Sequence, residues 1–135
     1  MSEERDIEGL RILLIEDEVV IAMTAEDMLQ EIGCTVAAQA STFDEAMAQA
    51  SMADFDLALL DINLNGVMSL PVAQALRDNG KPFIFTTGYG NAGLEKDFND
   101  VVVVTKPYTL RSLSHAIRSA AGETARGSAF GSRSG

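Results

Sequence analysis

Leu10-Arg11-Ile12-Leu13-Leu14-Ile15-Glu16-Asp17-Glu18 is a short apolar run that ends abruptly in three carboxylates. Its length and branched side chains fit a buried strand, and the pattern recurs along the chain. Residues 57–60 run into Asp61, residues 83–86 into Thr87, and residues 101–104 into Thr105, Lys106 and Pro107. Residues 35–40 form a weaker strand candidate. Helix-period segments lie between these runs. Residues 18–32 place Ile21, Ala25, Met28, Leu29 and Ile32 on one face and stop at Gly33. Thr42 and Glu45 make a capping-box pattern for a stripe of Phe43, Ala46, Met47 and Ala50. Ser69 and Pro71 open a helix that turns Leu70, Ala73 and Leu76 inward. The last helix starts near Thr109, with Leu110, Leu113, Ile117 and Ala121 on one face. Gly88, Gly90 and Gly93 leave residues 88–100 little helix propensity, enough for a short helix around 94–98. Five strands alternating with helices predict an α/β domain, a parallel sheet covered on both faces.

The 135 residues make one domain: 9–121, between an acidic, flexible leader (1–8) and a disordered tail (122–135) rich in Gly, Ser and Arg. The leader is acidic where a signal peptide is basic and then apolar. No apolar run approaches bilayer length, so no membrane role is expected. The single cysteine, Cys34, cannot form an internal disulfide and reads as a small buried residue in a cytoplasmic protein. A formal charge of −10 excludes a sequence-independent grip on nucleic-acid phosphates. Ten of the twenty acids lie in residues 1–31, and seven of these belong to the leader or to the outer face of a helix (Glu26, Asp27, Glu31); Glu16, Asp17 and Glu18 do not. The sole histidine, His115, falls mid-helix and reads as a surface residue.

Ligands of open α/β sheets bind beyond the carboxyl ends of the strands. Four runs here deliver Glu16 and Asp17, Asp61, Thr86 and Thr87, and Lys106 to that one edge. Taken singly each residue is ordinary: an Asp after a strand is usually a turn former. Together they are not. Clustered carboxylates share a proton or recruit a cation, and all-oxygen ligands suit Mg²⁺. A carboxylate nucleophile, a hydroxyl, an ammonium and a divalent ion are the parts of phosphoryl transfer. The chain has no G-x-x-x-x-G-K-[ST] loop and no G-x-G-x-x-G after its first strand, which argues against bound ATP or a dinucleotide.

Ile15-Glu16-Asp17-Glu18, Leu59-Leu60-Asp61-Ile62-Asn63-Leu64, Thr87-Gly88 and Lys106-Pro107, in this order, resemble the receiver domain of bacterial two-component response regulators. The resemblance covers residues 9–121. It implies a flavodoxin-like (βα)₅ fold with strand order 2-1-3-4-5 and a cis Lys106-Pro107 peptide. It makes Asp61 the phosphoacceptor and gives Mg²⁺ to Glu16, Asp17, Asp61 and the Asn63 backbone carbonyl. Thr87 then contacts the phosphoryl group and Lys106 pairs with it. The stretch from Pro82 to Gly90 is similar to a subgroup marked by Phe-Ala-Thr-Gly-Tyr, with Thr86 in place of its Ala. Thr86, Tyr89 and Pro107 are expected modulators of the site, Tyr89 by lying over the phosphate. The aromatic residue of ordinary receivers, three before the lysine, is replaced by Val103. The expected switch is therefore residues 88–100, ordered on phosphorylation.

Three functions compete. The leading one is a stand-alone receiver, not an enzyme beyond its own phosphorylation and dephosphorylation. It takes its phosphoryl group from a sensor histidine kinase or phosphotransfer protein. It then signals to a downstream protein or serves as a phosphate sink. The second is an Mg²⁺-dependent phosphohydrolase with an aspartate nucleophile, which resembles D-x-D where this chain has Asp61-Ile62-Asn63. The third is an interaction module that never meets phosphate.

Overall fold

β3 (Leu57–Asp61) is buried at every position because it is the middle strand of a five-stranded parallel sheet. The computed structural model of the chain describes residues 7–88, 98 and 100–121. β1 (Arg11–Ile15) and β6 (Phe83–Thr87) flank β3, and β2 (Thr35–Ala40) and β7 (Val103–Thr105) form the edges. The order is β2-β1-β3-β6-β7, the expected 2-1-3-4-5 once a small hairpin is numbered separately. That hairpin is β4 (Asn63–Leu64) and β5 (Val67–Met68), directly after β3. The helices are α1 (Val19–Ile32), α2 (Phe43–Met52), α3 (Leu70–Asp78) and α4, over residues 110–121. The fold is that of a flavodoxin-like, doubly wound α/β domain.

Strand alternation splits the core into two layers. Leu13, Ile15, Ala58, Leu60, Phe83 and Phe85 pack under α2 and α3, joined by Phe98 edge-on to Phe85 at 5.8 Å. Ile12, Leu14, Leu57, Leu59, Ile84 and Val104 pack under α1 and α4, against Ala25, Leu29, Leu113 and Ile117. Leu57, Leu59 and Leu60 are fully buried, and such side chains are worth about 1.5–3 kcal/mol each. Register then levels the carboxyl ends: Ile15 lies beside Leu60, Asp61 beside Thr86, and Thr87 beside Thr105.

Several local expectations change. Ile7, assigned to the leader, is in the core, and its carbonyl accepts from Leu10 N–H at 3.2 Å. The last strand starts at Val103 because the Val101 N–H turns back to the Phe98 carbonyl. In the capping pattern, Thr42 Oγ1 accepts from Glu45 N–H, but Glu45 reaches past Thr42 to the N–H and hydroxyl of Ser41. Leu110 is 39% exposed; the buried stripe of α4 starts a turn later, at Leu113, Ala116, Ile117 and Ala120. The Lys106-Pro107 peptide is cis. No described helix is long and apolar enough to cross a membrane. The expectations for Tyr89, for a helix and switch within 88–100, and for the tail lie largely or wholly outside the described residues.

Candidate functional site

Backbone hydrogen bonds fix each strand end before any side chain is considered. Glu16 N–H donates to the Ala40 carbonyl (3.0 Å), Ile62 N–H to Thr86 (3.0 Å) and Lys106 N–H to Thr87 (2.8 Å). The Ser69 hydroxyl donates to the Asp61 carbonyl at 2.5 Å. Glu16, Asp17 and Asp61 therefore converge, each offering a carboxylate oxygen within 4.8 Å of the others. Lys106 Nζ donates to Asp61 Oδ2 at 2.9 Å and to Glu16 Oε1 at 3.2 Å. Asp61 Oδ1 accepts from the Asn63 N–H at 3.2 Å, and Glu16 Oε2 from the Glu18 N–H at 3.1 Å.

The electrostatics follow from burial. Desolvation pushes the Glu16 carboxyl up to about 7; the Glu18 N–H opposes this and the Asp61 charge adds to it. Asp61 is raised for the same first reason, against the pull of Lys106. Asp17 goes the other way: its burial is outweighed by the Asn65 N–H and its neighbours in the cluster. Burial would also lower Lys106, yet its bonds and attraction to Asp61 and Glu16 leave it raised. Three carboxylates against one ammonium leave net negative charge in a confined place. The donor set is all oxygen, which fits a hard divalent cation such as Mg²⁺.

The β4–β5 hairpin closes one side of the cluster. Asn65 and Gly66 both have positive φ (53° and 85°), the signature of a type I′ turn. The Asn65 N–H donates to Asp17 Oδ2 at 2.9 Å, and the Gly66 N–H to Asn63 Oδ1 at 2.7 Å. Ser69 N–H donates to the Ile62 carbonyl at 2.8 Å. Antiparallel alternation then puts Asn63, opposite Met68, in a non-hydrogen-bonded pair. Its carbonyl is left outside the ladder.

A groove of about 750 Å³ opens over Asp61 and Lys106, with Thr87, Asn63 and Pro107 in its lining. Of the residues expected to act together, Lys106 bonds Glu16 and Asp61, Asp17 offers an oxygen within 4.8 Å of both acids, and Thr87 lines the same groove. Thr86 is buried on the α1 and α4 side of β6, while Val103 packs in the opposite layer. Sequence reasoning missed Ser69, Asn65 and Tyr108. The Asn65-Gly66 pair is itself a hairpin signal. Tyr108 lines the groove, is 6% exposed, and its buried hydroxyl has no hydrogen-bond partner among the described residues.

Comparison with known proteins agrees with this geometry. The two-component response regulator PhoP of Pseudomonas aeruginosa is 32% identical over 111 residues, covering 77% of this chain and 48% of its own length. The chain thus spans about half the length of the curated relatives it matches. Among solved structures, SdrG of Sphingomonas melonis Fr1 is similar with a TM-score of 0.73 and 36% identity, over 87% of this chain and 96% of that one. The response regulator PhyR of Brucella abortus aligns with a TM-score of 0.84 and 28% identity, over 98% of this chain and 56% of PhyR. The family model of the response regulator receiver domain matches residues 12–118, and the chain belongs to that family.

Proposed function

We propose that this domain accepts a phosphoryl group on Asp61 from a histidine kinase or phosphotransfer protein and signals through protein contact or drains phosphate from a relay. One observation carries the reading: a buried carboxylate at the floor of an open groove, 2.9 Å from Lys106, with Glu16 and Asp17 beside it. An Asp61 oxygen attacks phosphorus, the phosphorus–nitrogen bond of a phosphohistidine breaks, and the donor imidazole leaves with the electron pair. Lys106 receives the negative oxygens, and the Thr87 hydroxyl adds a donor. Glu16, Asp17, Asp61 and the Asn63 carbonyl would hold Mg²⁺, which supplies charge neutralisation on the transferring group. The Asn65 N–H orients Asp17, and the Glu18 N–H orients Glu16.

The rim of the groove favours a protein donor. Val20 on α1 and Met68 of the hairpin line it and are 75% and 39% exposed, and Val19 and Met23 continue the exposed apolar surface of α1 at 71% and 61%. Residues 82–88, together with Val103, support placement in the Phe-Ala-Thr-Gly-Tyr subgroup. Incubation with candidate histidine kinases and labelled ATP tests the donor. Label should pass to the wild type and not to Asp61→Asn; equal labelling of both would remove Asp61 from its role.

A further inference from the structure

Lys106 serves two carboxylates at once, and a phosphoryl group on Asp61 would disturb that arrangement. The ammonium bonds Asp61 Oδ2 at 2.9 Å and Glu16 Oε1 at 3.2 Å. New anionic oxygens on Asp61 compete for its three N–H donors, and the longer bond to Glu16 is the one given up. Glu16 is 3% exposed, so water cannot freely replace the lost donor, and Mg²⁺ on one of its oxygens would still leave lone pairs to satisfy. Among the described bonds, its other oxygen keeps the Glu18 N–H.

The Tyr108 hydroxyl is the spare donor nearby. It belongs to the α1 and α4 layer, the face of the sheet toward which alternation also turns Glu16, Asp61 and Thr86. Its oxygen is buried and lacks a hydrogen-bond partner among the described residues, a condition that costs about tenfold or more in the folding equilibrium. The charges of Glu16, Lys106 and Asp61 all reach it, and the Thr86 side chain interacts with it without meeting hydrogen-bond geometry. Burial first, and then the Glu16 charge, push the phenol up to about 12, so it keeps its proton. Tyr108 follows Lys106 by two residues, so a shift of Lys106 is felt in the backbone that carries the ring.

We infer that Tyr108 is a positioning residue of the phosphorylated site: its hydroxyl donates to the Glu16 carboxylate when Lys106 turns to the phosphoryl group. The inference rests on the reading that Asp61 accepts phosphate. The unpaired hydroxyl is thus a cost of the resting state that the phosphorylated state removes.

The test uses the full chain with Mg²⁺ and beryllofluoride, a stable phosphoryl mimic. The ¹³Cζ resonance of Tyr108, assigned by its loss in Tyr108→Phe, should move downfield when the mimic binds. Tyr108→Phe should melt at or above the wild-type temperature without the mimic and bind it about tenfold more weakly, the usual worth of a hydrogen bond to a charged group. Equal mimic affinity in both proteins, or an unmoved resonance in a wild type that binds it, overturns the positioning role alone. A lower free melting temperature with unchanged affinity does so too, because it marks a merely structural hydroxyl. Absence of mimic binding in both proteins overturns the phosphoacceptor reading itself, and this inference with it.

Discussion

Lys106 Nζ lies 2.9 Å from Asp61 Oδ2, and the two side chains are 12% and 5% exposed. A pair this dry is costly to break from one side, because the partner left behind is a buried charge. The same ammonium also offsets Glu16, so one cation holds two acids that would otherwise repel each other.

Lys106→Ala should therefore lower the stability of the Mg²⁺-free protein by about 1–3 kcal/mol near pH 8, less than for a sealed pair because the groove is open. Mg²⁺ should restore most of the loss and bind more tightly than to the wild type, since the competing cation is gone. Thermal melts over a Mg²⁺ titration at constant ionic strength check both. Weaker Mg²⁺ binding in the variant would show that Lys106 organises the ligands rather than competing with the ion.

pH should act through the raised carboxyls. Glu16, at about 7 in the folded protein against an ordinary 4.5, binds more protons folded than unfolded between those values. Without Mg²⁺, its contribution to stability is then largest below about pH 4.5 and is lost as pH rises through 7. Asp61, raised in the same direction, adds to the trend, while Asp17 and Asp56, both lowered, destabilise the protein only at acid pH. Mg²⁺ needs the ionised form, so its affinity should climb between about pH 6 and pH 8. Denaturant titrations and Mg²⁺ binding across that range give the two slopes, which should have opposite signs. A flat Mg²⁺ affinity would place Glu16 outside the ligand set.

Gly66 links the hairpin to the metal ligands. An added Cβ meets no atom within 4 Å, but the φ of 85° strains any other residue. Gly66→Ala should cost about 1–2 kcal/mol and weaken Mg²⁺ binding, because the turn aims the Asn65 N–H at Asp17. The same loss of stability with unchanged Mg²⁺ affinity would mean that Asp17 needs no such orientation.

The strand ends were readable because each polar residue interrupts an apolar run at the same edge: Glu16 after Ile15, Asp61 after Leu60, Lys106 after Val104 and Thr105. Features made by meetings between distant segments were not. Ile7 looks like part of an acidic leader, yet it is buried and its carbonyl accepts from Cys34 Sγ at 3.4 Å. Glu45 satisfies Ser41 rather than Thr42, a choice of geometry that spacing cannot specify. Tyr108 reads as one more aromatic at a helix start; only its burial, with the hydroxyl unpaired among the described residues, marks it. The Asn65-Gly66 turn is different, since its signal was present in the residues themselves.

Intact-mass measurement after incubation with acetyl phosphate and Mg²⁺ tests the central claim most directly, because it needs no partner protein. The wild type should gain the mass of one phosphoryl group, mapped to Asp61 by peptide analysis, and Asp61→Asn should gain none under the same conditions. An adduct of equal yield in Asp61→Asn, or one mapped to another residue of the wild type, would contradict the account.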